Sequence, residues 1–378
     1  MISRVLRRRH EPRSIFEHID AHVRPDADGL AAGGEILPDE HLVSQGAADW
    51  APGALEGVIG SVEASEGDRA AVEQIYQALA ALAARPTSAT RARLRELFRE
   101  GRVLSRIDGL RDRLSAESPP NAVELYPELR EILLTSGRRD EVKYAMALLA
   151  GFGRREDADL FRVLGRHEEF TLYAAVALAG VSDDPLQEWL DLLGHVRGWG
   201  RTELSELILR EPRSELVRER LLRTGLGFGN ALALAVGCRL DELLGREHVD
   251  NELLARAREI VDGLVWRFDS PSTLTDYPEA GVAVEGLLRQ IGLRPRGLDE
   301  LITLFELRRL LTADGSDDAD RLANCGFDAD RLAWVVAVCT AMIDGGDWRP
   351  QIDQALRSDA EHERVLGLEA ARRLGLEP

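Results

Sequence analysis

Apolar positions recur at helical spacing along most of the chain. Val72, Ile75, Tyr76, Leu79 and Leu82 fall on one face at i, i+3, i+4 and i+7, which predicts an amphipathic helix. Pro86 breaks that run, and Thr87 or Ser88 is placed to cap a helix carrying Leu94, Leu97 and Phe98. Gly101 ends it, and Val103 to Leu114 forms the next. From Ala122 the pattern becomes a repeat. Tyr144-Ala-Met-Ala-Leu-Leu-Ala-Gly151 returns 29 residues later as Tyr173-Ala-Ala-Val-Ala-Leu-Ala-Gly180, and Leu164-Gly165 returns as Leu193-Gly194. Paired helices are expected near Asp140–Ala150 with Asp157–Gly165, and near Phe170–Gly180 with Pro185–Gly194. A third pair, Arg201–Arg210 with Ser214–Arg223, keeps Leu221-Leu222 in register with Leu192-Leu193. A fourth, Asn230–Gly237 with Leu240–Leu244, is shortened. Beyond it, helices are expected over Leu253–Phe268, Tyr277–Ile291, Asp299–Leu311, Asp328–Ile343, Gln351–Leu356 and Ala360–Leu374. No alternating β-branched run of strand length stands out, so the chain reads as almost wholly α.

Four regions follow. Residues 1–65 form an irregular N-terminal cap, rich in turn chemistry such as Pro25-Asp-Ala-Asp-Gly29 and Ala32-Gly-Gly34, with short helices near Ser14–Val23 and Pro52–Val62. Trp50 and Ile59 supply apolar area for docking this cap on the array. Residues 66–117 are a helical N-terminal region. Ser118-Pro-Pro-Asn121 is a linker, because the residue before a proline is pushed out of the helical region. Residues 122–245 are the repeat array, and residues 251–378 are a C-terminal helical region continuing it. Each repeat pair leaves an apolar face that only a stacked neighbour completes.

The Ala-Leu-x-Ala-Gly motif with its Leu-Gly closings resembles HEAT-type α-solenoids, although the 29-residue unit is shorter than the roughly 40 residues usual there. The fold class this implies is all-α: a HEAT-like α-solenoid of short helical hairpins with an irregular N-terminal cap. A second likeness runs through Trp50-Ala-Pro-Gly-Ala-Leu-Glu-Gly57, the repeats and Gly198-Trp-Gly-Arg201. These are similar to bacterial helical proteins, some of which carry the name limonene hydroxylase. Such a hydroxylase needs haem, flavin or non-haem iron to activate oxygen. No haem-ligand cysteine motif, G-x-G-x-x-G after a strand, or facial triad is legible, so no cofactor and no catalytic residue are assigned.

Composition narrows the function classes. The 378 residues carry a net charge of −18, which argues against a nucleic-acid scaffold, since binders present a dense basic face to the phosphates. Arg4, Arg7, Arg8, Arg9 and Arg13 cluster at the N-terminus and read as a solvated end. No apolar run reaches membrane-spanning length, and no signal-peptide core follows the basic start. A cytoplasmic protein is therefore expected. Lys143 is the only lysine, so amine chemistry has one candidate, set among repeat residues. Cys238, Cys325 and Cys339 lack C-x-x-C spacing and read as reduced core residues. The tract Asp314-Gly-Ser-Asp-Asp318 lacks the alternating ligands of a calcium loop and reads as a solvated linker.

Two constellations carry candidate chemistry. His18 and His22, at i and i+4, place two imidazoles on one helix face, a geometry that suits a divalent metal, but the H-E-x-x-H pattern is absent. No metal is assigned beyond that pair. The turns after the repeat helices are richer. Arg166, His167 and Glu169 follow one unit, and His195, Arg197, Trp199 and Arg201 follow the next, with Arg166 in register with His195. Both groups belong to one edge of a stack, where arginines can fork a carboxylate and Trp199 offers apolar area. The alternative is that Trp199 packs between helices while the charges are solvated. The expectation is a non-enzymatic scaffold that binds a protein or peptide partner through this edge or the concave face. Alternatives are an accessory or immunity protein neutralising a basic partner, the hydroxylase above, or a HEAT-like DNA glycosylase, which the acidic balance disfavours. Oligomeric state is not legible.

Overall fold

The computed structural model describes residues 14–24, 28–43, 65–100, 103–119, 121–211, 214–227, 229–265, 273–312 and 316–376. The basic cluster Arg4–Arg13, the helix expected over Pro52–Val62, Trp50 and Ile59 lie outside them. Among the described residues there are twenty-one α-helices, four single 3-10 turns and no strand. The chain divides into two compact units, Met1–Leu204 and Ser205–Pro378. That division falls inside a helix of the expected array, not at the composition breaks near 118–121 or 245–251.

The first unit holds α1 (Ile15–Asp20), α2 (Glu40–Val43), α3 (Glu66–Ala84), α4 (Ser88–Phe98), α5 (Leu104–Ala116), α6 (Leu125–Thr135), α7 (Arg139–Phe152), α8 (Ala158–Leu164), α9 (Thr171–Val181), α10 (Pro185–Leu193) and the start of α11 (Gly198–Leu209). Local chemistry sets many of the starts. Ser65 and Asp68 close a capping box on α3, and Thr87 with Thr90 closes one on α4. Asp184 accepts from the Gln187 amide while Pro185 occupies the first position of α10. Helix α6 carries a buried stripe, Leu125, Leu129, Ile132 and Leu133, that the repeat reading did not assign. Its Pro127 sits in the first turn, where a missing N–H costs nothing.

The echoed residues are core. Tyr144 is fully buried and stacks on Phe98 at 4.5 Å between ring centres, and burial pushes its hydroxyl up to about 12. Ala145, Leu148, Leu149, Ala174, Ala177 and Leu178 are buried with it as α7 packs along α9. The two motif glycines differ. A Cβ on Gly180 would lie 2.1 Å from the Ala150 carbonyl oxygen, so α9 meets the α7 backbone there, whereas one on Gly151 would meet nothing within 4 Å.

The second unit continues with α12 (Glu215–Thr224), α13 (Ala231–Cys238), α14 (Leu240–Leu244), α15 (Asn251–Val265), α16 (Ala280–Gly292), α17 (Leu298–Leu311), α18 (Ser316–Asn324), α19 (Ala329–Asp344), α20 (Arg349–Leu356) and α21 (Glu361–Leu374). Its core runs through Leu264, Leu287, Leu288, Leu304, Val335 and Cys339. The tract read as an acidic linker instead starts α18. Cys238, Cys325 and Cys339 are free and buried. Among the described residues no helix is long and apolar enough to cross a membrane.

Candidate functional site

The turn edge expected from the repeats is occupied by the chain's own N-terminal segment. Ser14 anchors it, giving its hydroxyl to the Leu134 carbonyl at 2.7 Å, and the Ile15 amide donates to the Ser136 carbonyl at 2.9 Å. Helix α1 then packs on α6 and α8 through the fully buried Ile15 and Ile19. Past α1 the chain runs over the edge. Arg166 donates from Nη1 to the Arg24 carbonyl at 2.8 Å. Gly29 donates its amide to the His195 carbonyl at 2.9 Å. Gly29 has φ +68°, and a Cβ there would lie 3.0 Å from Cδ of Arg197, so the segment passes over this arginine only as glycine.

His167 fixes the next point. Its Nδ1 accepts the Glu169 amide at 3.2 Å, so the ring proton sits on Nε2, which donates to the Glu35 carbonyl at 3.2 Å. The ring is buried, and that burial holds its pKa below the ordinary 6.5. Arg201 holds the Val196 carbonyl and reaches the Asp28 carboxylate, each at 3.0 Å; the arginine keeps that carboxyl below its usual range. Trp199 is half-buried, and its amide donates to the Glu168 carboxylate at 3.0 Å. Burial nonetheless raises the Glu168 pKa, because desolvation outweighs that hydrogen bond.

Residues the sequence reading did not select complete the site. Helix α7 has no side-chain cap of its own at Arg138. Asp39 supplies one from 100 positions away, accepting the Arg139 amide at 2.8 Å and its Nε at 3.1 Å. Arg139 also holds Glu40 at 2.6 Å and lies 3.8 Å from Glu169, which takes the Lys143 ammonium at 2.5 Å. The sole lysine is thus a buried member of an ionic chain that ends on the N-terminal segment. The only local hint was a charged Asp-Glu pair after Pro38.

All seven selected edge residues, Arg166, His167, Glu169, His195, Arg197, Trp199 and Arg201, therefore gather at one seam. Arg166, His167, His195 and Arg201 hold residues 24, 35, 29 and 28 of the N-terminal segment, while Glu169 pairs with Lys143 and the Trp199 amide with Glu168. His18 and His22 do meet, with ring centres 4.5 Å apart, but the helix ends at Asp20 and His22 Nδ1 sits 2.7 Å from the His18 carbonyl. Among the described residues no three His, Cys, Asp or Glu side chains cluster as a metal site.

No family model matches the chain, and no curated protein or solved structure is similar to it. Neither resemblance drawn from the motifs gains support there; what stands is an all-helical chain of many helices, compatible with a helical repeat.

Proposed function

We propose that the chain is a non-enzymatic, HEAT-like helical scaffold whose turn edge binds an extended segment of a protein partner, in the place its own residues 28–40 take here. The observation that carries the reading is how that segment is held. Arg166 and His167 donate to main-chain carbonyls, and His195 accepts a main-chain amide. Arg201 and Arg139 take the carboxylates of Asp28, Asp39 and Glu40. Backbone bonding gives affinity for extended chain in general, and the two acid anchors give register. The donors at this edge are cationic or neutral, so an acidic segment fits it better than a basic partner does.

A labelled peptide of residues 28–43, titrated into the full chain and followed by anisotropy, tests the reading. The chain carrying Asp28→Ala and Asp39→Ala, which loosen the resident segment, is expected to bind the peptide more tightly than the unaltered chain. Adding Trp199→Ala and Arg201→Ala, with thermal stability monitored alongside, is expected to abolish capture. Equal binding by all three chains overturns it.

A further inference from the structure

The second unit contains a groove of about 350 Å³ whose walls are two helical faces in antiparallel register. Glu215, Arg218, Glu219 and Leu222 line one wall at i, i+3, i+4 and i+7 of α12; Arg239, Glu242, Leu243 and Arg246 line the other at the same spacing along α14 and its flanks. Leu222 and Leu243 are buried and form the apolar floor.

The charges in this groove do not pair one to one. At one end a single guanidinium, Arg246, is shared by two carboxylates, Glu219 at 2.5 Å and Glu215 at 2.6 Å. At the other end a single carboxylate, Glu242, is shared by two guanidiniums: Arg239 bonds it directly, and Arg218 stays 3.8 Å away, beyond hydrogen-bond reach. One end thus has a spare negative charge and the other a spare positive charge. Seven residues of α12, about 10 Å of helix, run from Glu215 to Leu222, and seven more on the other wall run from Arg246, the partner of Glu215, to Arg239, so Glu215 and Arg239 are the outermost charges.

Arg239 adds a second observation. It joins α13 to α14 in the left-handed region, with φ 56° and ψ 61°, where glycine or asparagine is the usual occupant. A glycine would make the same turn without strain, so the conformation does not call for an arginine. Its side chain lines the groove beside Glu242.

We infer that this groove binds a short zwitterionic peptide, with the carboxylate at Arg239, the ammonium at Glu215, and the body over Leu222 and Leu243. Three extended residues span about 10 Å, which matches the rise of the wall from Glu215 to Leu222. The Arg239–Glu242 pair is solvent-exposed and contributes little to stability, so a ligand carboxylate replaces Glu242 there at small cost.

Trialanine with free termini is the probe, titrated into the full chain by calorimetry beside its N-acetylated and C-amidated forms. Saturable binding by the free peptide, weakened about tenfold or more by blocking either end, is the expected result. Arg239→Gly is expected to keep or raise the melting temperature while losing that affinity. No saturable binding, equal binding of the blocked peptides, or full affinity in Arg239→Gly overturns the inference.

Discussion

The seam under the N-terminal segment and the groove in the second unit are built from the same side chains, arginine against aspartate and glutamate, with opposite burial. At the seam Lys143, Asp39, Arg139 and Glu169 keep only 3%, 5%, 10% and 11% of their side-chain surface. In the groove Arg239, Glu242 and Glu215 keep 55%, 47% and 72%, and the least exposed pair, Arg246 and Glu219, keeps 35% and 27%. Charges withdrawn from water must be matched nearly completely, whereas exposed ones are hydrated whether or not a partner is near. The seam therefore acts as structure as long as every member is present, and the groove can exchange partners.

The largest expected effect tests that contrast directly. Glu169→Ala removes the carboxylate that holds the buried Lys143 ammonium at 2.5 Å, and breaking one side of a buried pair costs about 3–5 kcal/mol. Glu242→Ala removes one side of an exposed cluster and is expected to cost no more than about 1 kcal/mol. Urea unfolding of both variants beside the unaltered chain measures the difference. Similar losses in the two would mean that burial does not separate the regions.

A second test asks how closely the helices under the seam must meet. Lys143 on α7 reaches Glu169, just before α9, and the same two helices touch again at Gly180 and Ala150. Gly180→Ala forces a Cβ into the Ala150 carbonyl and is expected to destabilise by about 1–3 kcal/mol. Gly151→Ala, at the echoed position with open space around it, is expected to be neutral or to stabilise by up to about 1 kcal/mol. Thermal unfolding of the pair reads this asymmetry, and equal effects would remove the close approach as its cause.

These contrasts also mark how far the sequence could be read. Helices α7 to α10 sit where the Tyr-Ala echo and the Leu-Gly closings placed them, because period and caps are local properties. Helix α6 escaped notice although Leu125, Leu129, Ile132 and Leu133 are helically spaced; Pro127 reads as a breaker until its place in the first turn is known. The register of Arg166 with His195 placed both on one edge, and both bond the N-terminal segment. What lies on that edge was not legible, since Asp39 meets Arg139 across 100 residues and no local pattern encodes such a pairing. The groove was hidden for a similar reason: Glu215, Glu219 and Arg246 look like ordinary solvated charge until two helices face each other.

The smallest expected effect is one of pH, and its sign should differ between the two units. His167 is held neutral by burial, with Arg139 and His18 also opposing its charge and Glu169 and the Glu35 carbonyl favouring it. A histidine whose folded pKa lies below the unfolded 6.5 contributes stability that is fully present above 6.5 and is lost as pH falls toward the folded value. The slope for one proton is at most about 1.4 kcal/mol per pH unit. Asp262 in the second unit runs the other way. Burial lifts it from 3.8 to about 6 against the pull of Arg258 and Thr303, so the folded state takes up a proton more readily and stability is lost as pH rises through that window. Between pH 6.5 and 4, acid therefore weakens the seam through His167 and favours the second unit through Asp262. Melting curves of His167→Gln and Asp262→Asn at pH 7.5, 6 and 4.5 separate the two. The glutamine variant should lose part of the acid sensitivity of the unaltered chain, and the asparagine variant should show more of it. If both variants track the unaltered chain at all three values, neither group titrates differently on folding, and the acid response of the seam must come from its carboxylates, Asp28 first.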